Sequence, residues 1–401
     1  MTIEREWLDS MFIVFECVVT GTSIITFVMA LVLLTTFVVR KDNSRHPKEM
    51  PMVTVFVPFF NEAKGPLMKT LESLDAQRYP QKLQVILIND GSTNTTPKHV
   101  EEWFNADKNH DFILLNKQTN GGRKGFALDY ALESKLAVGD IYVVVDSDTY
   151  VNDDGIYELA AKMQSDERYA AVCGFIAPEN YQDNFLAKLQ HYEHIGYYGA
   201  IRCAQDKLGL VPVLAGAFVA HRASVVEEIG GWSEWLVEDI AWCWRAISHN
   251  YRTGYAPRAV ASTQCPTTHK GLFNQRRRWA RGRVEAYAAA WKVSPLSGFA
   301  FTPWFAITTL QYLFPPGIFL VPLLLALGLY LPVVIGLFTY AVYFYFFQKF
   351  QHTYPAHNIG NNNSILKITL STILLEAIVW FPNILGYLDE VLGKKKNWLT
   401  R

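Results

Sequence analysis

Two aspartates separated by one serine, Asp146-Ser147-Asp148, follow directly on the run Ile141-Tyr142-Val143-Val144-Val145. The apolar, β-branched run reads as a buried strand, and the carboxylates fall where such a strand leaves its sheet. Ligands of open α/β sheets bind at the carboxyl ends of the strands. Two carboxylates two residues apart at such a place suit a hard divalent cation, Mg²⁺ or Mn²⁺, that also touches a phosphate. The same triplet also fits a solvated loop or a helix cap, since aspartate is common after strands.

Four further clusters carry chemical possibilities. Asp90, in Asn89-Asp90-Gly91-Ser92, closes a second apolar run over 83–88. A carboxylate there can accept from a base or a ribose hydroxyl, although a tight Asp-Gly turn explains it equally well. Gly121-Gly122-Arg123-Lys124-Gly125 is a glycine-rich turn with two cations leading into a helix. Its backbone N–H groups, the helix start and Lys124 suit a diphosphate. The spacing is neither GxxxxGK[ST] nor GxGxxG, which disfavours a P-loop and nicotinamide chemistry. Glu238-Asp239 precedes Ile240-Ala241-Trp242-Cys243-Trp244. A carboxylate desolvated among tryptophans has a raised pKa and is a better general base; an N-cap and its neighbour would also account for the pair. Gln275-Arg276-Arg277-Arg278-Trp279, with Arg281 and Arg283, is the densest basic cluster. It reads either as arginines that neutralise a leaving diphosphate beside a tryptophan platform for a sugar, or as the basic flank of a membrane segment. Nucleic acid is the poorer reading, because the formal net charge is zero and the rest of the domain is not basic.

The elements that must position these groups follow from periodicity. Strands are expected over 53–58, 83–88, 112–115 and 141–145, with helices over 66–76 and 126–136 between them. Strands alternating with helices at this spacing mean a mainly parallel, doubly wound sheet. Each strand ends in polar residues, so the carboxyl edge forms one polar mouth. Residues 184–200 carry aromatics at helical spacing, which fits a helix at a membrane interface or a buried core helix.

The remainder is apolar. Of the 401 residues, 50% are hydrophobic and 18% charged, against about 25% charged in ordinary soluble domains. The deficit is concentrated in 11–39 and 299–390. Residues 11–39 hold one charge, Glu16, and are long enough to cross a hydrocarbon core, which needs about 20 residues. Glu4-Arg5-Glu6 precedes them and Arg40-Lys41 follows. A cleaved signal peptide has the opposite polarity, so an uncleaved anchor is expected. The positive-inside rule then puts 40–290 in the cytoplasm. The expected division is an anchor over 1–45, a catalytic domain over 46–290 and a C-terminal membrane region over 291–401. Lys394-Lys395-Lys396 favour a cytoplasmic C-terminus, which requires an even number of crossings after the catalytic domain and leaves 299–313 in the interface, ahead of two crossings. Five scattered cysteines without a CxxC pair fit a reducing compartment.

In this order and spacing the constellations resemble the family 2 glycosyltransferases, in particular the membrane-integrated polysaccharide synthases of the hyaluronan, chitin-oligosaccharide, poly-N-acetylglucosamine and cellulose type. The likeness covers 53–283. It rests on Val57-Pro58-Phe59-Phe60-Asn61-Glu62, Asn89-Asp90-Gly91-Ser92, Asp146-Ser147-Asp148, Glu238-Asp239 and Gln275-Arg276-Arg277-Arg278-Trp279, the last matching the Q-x-x-R-W signature. The resemblance implies a GT-A type doubly wound mixed sheet joined to transmembrane and interfacial helices. It assigns Glu62, Asp90, Lys124 and Asp146 to the nucleotide sugar, and Asp146 and Asp148 to Mn²⁺ or Mg²⁺. Asp239, with Glu238, matches the Thr-Glu-Asp base, Val237 standing for the threonine. Gly216, Gln275, Arg278 and Trp279 would line the acceptor and diphosphate. Trp398-Leu399-Thr400-Arg401 resembles the W-G-T-R element of the hyaluronan and nodulation synthases, with Leu399 for glycine, which adds Trp398 and Arg401.

The implied activity is inverting, metal-dependent transfer from a UDP-sugar to a growing β-linked polysaccharide, coupled to translocation by a multi-pass protein of the cell membrane. The implied partners are the UDP-sugar, an oligosaccharide or polysaccharide acceptor and membrane lipids, with no nucleic acid. Transfer of one sugar to a lipid, and a sugar-binding membrane protein without activity, are the alternatives.

Overall fold

The chain begins as one long helix, α1 (Thr2–Val39), and then builds an eight-stranded sheet flanked by helices. The structure, a computed structural model, describes residues 2–41, 47, 49–232, 234–355 and 365–396. After α1 come β1 (Val53–Phe59), α2 (Lys64–Asp75), β2 (Gln84–Asn89), α3 (Thr96–Trp103), β3 (Asp111–Asn116), α4 (Lys124–Glu133) and β4 (Ile141–Val145). These strands lie in the order β3-β2-β1-β4, all parallel, as the alternation of strand and helix requires. β1, β2 and β4 are buried almost throughout, whereas β3, at the edge, is half-buried.

The second half of the sheet departs from the parallel pattern. It contains β5 (Thr149–Val151), α5 (Gly155–Gln164), β6 (Tyr169–Pro178), α6 (Phe185–Glu193), a π-helical turn (His194–Tyr198), α7 (Gly199–Leu208), β7 (Phe218–Arg222), α8 (Ala223–Ile229), α9 (Glu238–Ser248) and β8 (Arg252–Thr263). β7 runs antiparallel to β4 and to β6, β8 is parallel to β6, and β5 closes the edge antiparallel to β8. The sheet is therefore mixed and GT-A-like. The β4–β7 pairing, with Val145 opposite Phe218, brings the chain before β7 against Asp146, whose N–H donates to the Ala217 carbonyl at 3.1 Å.

Helices α10 (His269–Val293), α11 (Pro295–Leu313), α12 (Gly317–Ala326), α13 (Tyr330–Thr353) and α14 (Ile365–Val391) complete the chain. Three helices among the described residues are long and apolar enough to cross a membrane: 9–39, 330–353 and 366–391. α11 and α12 reach that standard only as a pair, bent by 78°. The segment from α6 to α7 is no free interfacial helix. It wedges between the sheet and the apolar helices, where Gly199 leaves room for Phe350 of α13 (a Cβ would lie 2.8 Å from its ring) and for Phe175 of β6. α1 is tied to the same segment: the Lys207 ammonium donates to the Phe37 carbonyl at 2.8 Å, and Arg40 donates to the Lys207 carbonyl at 2.7 Å.

Candidate active site

The carboxyl ends of β1, β2 and β4 open on one edge and deliver Glu62, Asp90 and Asp146 there. Asn61 turns the chain after β1 with φ of 49°, a left-handed conformation that asparagine tolerates better than most residues. Its side-chain carbonyl accepts from the N–H groups of Thr93 and Asn94 at 2.8 and 3.2 Å, joining the turns after β1 and β2. Glu62 accepts a hydrogen bond from the Ser147 hydroxyl at 2.7 Å. Asp90, buried, accepts from the Gly121 N–H at 3.1 Å and pairs with Lys117 at 2.9 Å, so it fixes the glycine-rich turn. Gly91 is required beside it: its φ is +75° and a Cβ would lie 2.6 Å from the Asn120 nitrogen.

Lys124, at the start of α4, is the hub of the site. Its ammonium lies 2.5 Å from Asp146, 3.4 Å from Glu238 and 2.8 Å from the Gly216 carbonyl, which it donates to. Burial by itself would lower its pKa, but Asp146 and Glu238 outweigh burial and hold it above the ordinary lysine range. The resemblance assigns this lysine to a nucleotide; here it welds β4, the loop before β7 and the start of α9.

Asp239 is held by backbone. One carboxylate oxygen accepts from the Gly216 N–H at 2.8 Å, the other from the N–H of Ile240 at 2.7 Å. A Cβ on residue 216 would lie 2.5 Å from the carboxylate, so only glycine allows this cradle. Gly216, expected at the acceptor, thus sits between the two key charges, its N–H on Asp239 and its carbonyl on Lys124. Burial first, and then the neighbouring Glu238 charge, push the Asp239 carboxyl up to about 6, against the pull of Lys124 and the two N–H groups.

The basic cluster divides by helical phase. Arg278 alone of Arg276, Arg277, Arg278 and Arg281 turns its charge to Glu238, Asp239 and Asp146; burial lowers its pKa and those carboxylates counter the effect. Arg276 forms a bidentate pair with Glu193 at 2.5 and 2.9 Å, bonds the Tyr198 hydroxyl and lies 4.6 Å over the Trp279 ring. Arg277 pairs with Asp389 at 2.5 Å and Arg281 with Glu390 at 3.0 Å, both on α14. Arg276, Arg277 and Arg281 are thus taken up in packing the helix, Arg283 lies 4.1 Å over the Tyr312 ring, and Arg278 faces the carboxylates of the site. Gln275 and Trp279 are half-buried on α10 beside them.

Asp148 is buried and accepts from the Thr263 hydroxyl at 3.4 Å. Among the described residues no three His, Cys, Asp or Glu side chains form a ready cation cage. The all-oxygen pair Asp146 and Asp148 nevertheless has the donor chemistry of a hard cation that draws its remaining ligands from a diphosphate and water. Trp398 and Arg401 lie outside the described residues.

Several neighbours of the site carry no motif. Lys117, Gly282 and Glu285 are such residues. Gly282, one turn beyond Arg278, lets α10 contact the Val237 side chain; a Cβ there would collide with it. Counting four residues on from Arg278 is the one sequence signal that finds it.

Residues 141–350 match the family described as Glycosyl transferase family group 2. The chain is 32% identical over 238 residues to a poly-beta-1,6-N-acetyl-D-glucosamine synthase of Staphylococcus aureus (strain COL), covering 59% of this chain and 56% of that protein. It is 30% identical over 244 residues to the protein of the same name in Staphylococcus epidermidis, covering 61% and 57%. The chain thus spans little more than half the length of these curated relatives. A solved mannosyltransferase from Pyrobaculum calidifontis, in complex with GDP-Man and Mn²⁺, superposes with a TM-score of 0.65 at 19% identity, covering 97% of this chain and 100% of that one. That likeness is one of fold.

Proposed function

The chain belongs to glycosyl transferase family group 2, and on that premise we propose that it is an inverting, metal-dependent transferase that moves a sugar from a UDP-sugar to a growing β-linked polysaccharide. The observation that carries the reading is the state of Asp239: a half-buried carboxylate aimed by two backbone N–H groups, raised to about 6, beside the Lys124–Asp146 pair. A general base poised near neutral pH is what deprotonation of a sugar hydroxyl needs, and such catalysis contributes about 10²–10⁴-fold.

In this mechanism Asp239 takes the proton of the acceptor hydroxyl. The freed oxygen attacks the anomeric carbon in line as the nucleoside diphosphate departs. Arg278 supplies positive charge on the leaving side. Asp146 and Asp148 would hold Mn²⁺ or Mg²⁺, which when bound neutralises the diphosphate. Glu62 and Asp90 border the nucleotide, and Gln275 and Trp279 border the acceptor. One displacement inverts the anomeric centre, so an α-linked donor yields a β-linked product. The N-acetylglucosamine polymer named in the Staphylococcus relatives makes UDP-N-acetylglucosamine the first donor to test.

The apolar helices support membrane residence, and we read the catalytic domain as cytoplasmic and the product as exported beside those helices. Protein purified in detergent with Mn²⁺ or Mg²⁺ is to be offered UDP-N-acetylglucosamine, UDP-glucuronate and UDP-glucose. One of them turns over to polymer, chelation stops the reaction, and Asp239→Asn lowers turnover by about 10²–10⁴-fold while nucleotide binding survives. Loss of binding in that variant would make Asp239 a nucleotide ligand, and a product of one sugar on lipid would replace the polymerase reading.

A further inference from the structure

The segment that presents Asp239 does not cap itself. α9 starts behind Val237 with no capping side chain. Two groups of α10 fix the preceding residues instead. The Leu236 N–H donates to one oxygen of Glu285 at 2.9 Å, and Val237 lies on Gly282. Glu285 is only 2% exposed, and a carboxylate so deeply buried is strongly unfavourable without a cation.

That cation comes from beyond the end of α14. Lys396 places its ammonium on the second oxygen of Glu285 and also pairs with Glu390 at 2.9 Å. Glu390 is held by Arg281 at 3.0 Å, and the same guanidinium donates to the carbonyls of Lys394 at 2.6 Å and Lys395 at 3.2 Å. The chain after α14 is thus clasped on both sides of Lys396's approach to Glu285. One carboxylate joins the clasp to the backbone three residues before Asp239.

We propose that Lys396 and Glu285 are a positioning pair, through which the end of apolar helix α14 sets the aim of the catalytic carboxylate of Asp239. The inference rests on reading Asp239 as the base. Neither residue touches the reacting groups. Glu285 holds the 236–239 turn by its backbone, and Lys396 orients Glu285 to do so. The donor side of the site, built on Asp90, Lys124 and Asp146, receives no contact from this pair, so its effect falls on turnover and not on donor binding.

The test uses the full chain in detergent with the donor that turns over. Lys396→Met lowers kcat at least tenfold with the donor KM within twofold of the parent. Lys396→Arg restores at least half of the activity. Glu285→Gln keeps an acceptor for the Leu236 N–H, leaves no unpaired buried charge, and lowers kcat to a similar extent. The double variant is no worse than the worse single, because both changes remove one interaction. A kcat within twofold of the parent in Lys396→Met, failure of Lys396→Arg to rescue, or multiplicative losses in the double variant would each overturn the proposal. If Lys396→Met does not yield monodisperse protein, Glu285→Gln decides by the same kcat and KM criteria. Asp239→Asn is measured alongside: if it retains turnover, the base reading and this pairing fall together; if it is dead while Lys396→Met is unimpaired, the pairing alone falls.

Discussion

Two faces of one helix, α10, teach opposite uses of the same residue type. On one face Arg278 and Gly282 look toward the catalytic turn, the arginine at Glu238, Asp239 and Asp146 and the glycine at Val237. On the other, Arg277, Arg281 and Glu285 stand four residues apart and meet Asp389, Glu390 and Lys396. Adjacent arginines in the sequence are separated by about 100° around a helix, so charge density says little about function until the phase is known. The first face is proposed to do chemistry; the second holds the domain to α14 and, through Glu285 alone, reaches the backbone before Asp239.

Separating the faces by mutation gives the largest effect. Arg278→Leu removes positive charge from the leaving side and lowers kcat by about 10²–10³-fold, with the thermal midpoint little changed, since the side chain is only half-buried. Arg277→Leu does the reverse. It strips one cation from Asp389, whose side chain is 1% exposed and retains Lys394 at 2.9 Å, and costs on the order of 1–3 kcal/mol of stability with kcat within threefold of the parent. Turnover and thermal unfolding of both purified variants check the contrast; equal losses of kcat would erase the distinction between the faces.

The glycines of α10 and α14 sharpen it further. Alanine in a helix interior is favoured over glycine by about 1 kcal/mol, so propensity alone predicts that Gly282→Ala stabilises. Packing predicts that the new methyl displaces Val237 and with it Asp239. The expected outcome is kcat reduced about tenfold, roughly 1.4 kcal/mol of barrier, without a fall in thermal midpoint. Gly386→Ala would drive a methyl into the Arg277 carbonyl across the α10–α14 seam, and its effect should appear in unfolding before turnover. If Gly282→Ala keeps full activity, the catalytic turn is not aimed through this contact.

The sequence is legible where local pattern and tertiary demand coincide. β1, β2 and β4 are β-branched and apolar and form where their pattern puts them, with Glu62, Asp90 and Asp146 at their ends. β6 is buried over its whole length but contains Ala170, Ala171, Gly174, Ala177 and Pro178, poor strand formers that pairing on both sides keeps extended. β8 contains Pro257 and Arg258, and its register with β6 slips between Gly174 and Phe175 to pass them. At the site, the types and order of Asp146, Asp239 and Arg278 are legible. The duties of Gly216 and Lys124 are not, since they follow from the β4–β7 pairing. Nor is the α14 seam, whose partners lie over a hundred residues apart from α10 in the chain.

The smallest expected effect concerns the neighbours of the base. Asp239 must be ionised to accept a proton, so turnover falls as pH drops through its pKa, near 6. Burial contributes most to that elevation, by keeping water from the charged form, and the Glu238 charge next, by repelling a second negative charge. Glu238→Gln removes the repulsion and leaves the burial and the two N–H bonds in place. The acid limb of the kcat profile should therefore move to lower pH, by about one unit or less, with only a modest change in plateau rate. Glu238 also faces Lys124 at 3.4 Å, and its loss frees that ammonium to act more fully on Asp146 and Asp239, which pushes the limb the same way. A limb that moves to higher pH would mean that the titrating group is not Asp239.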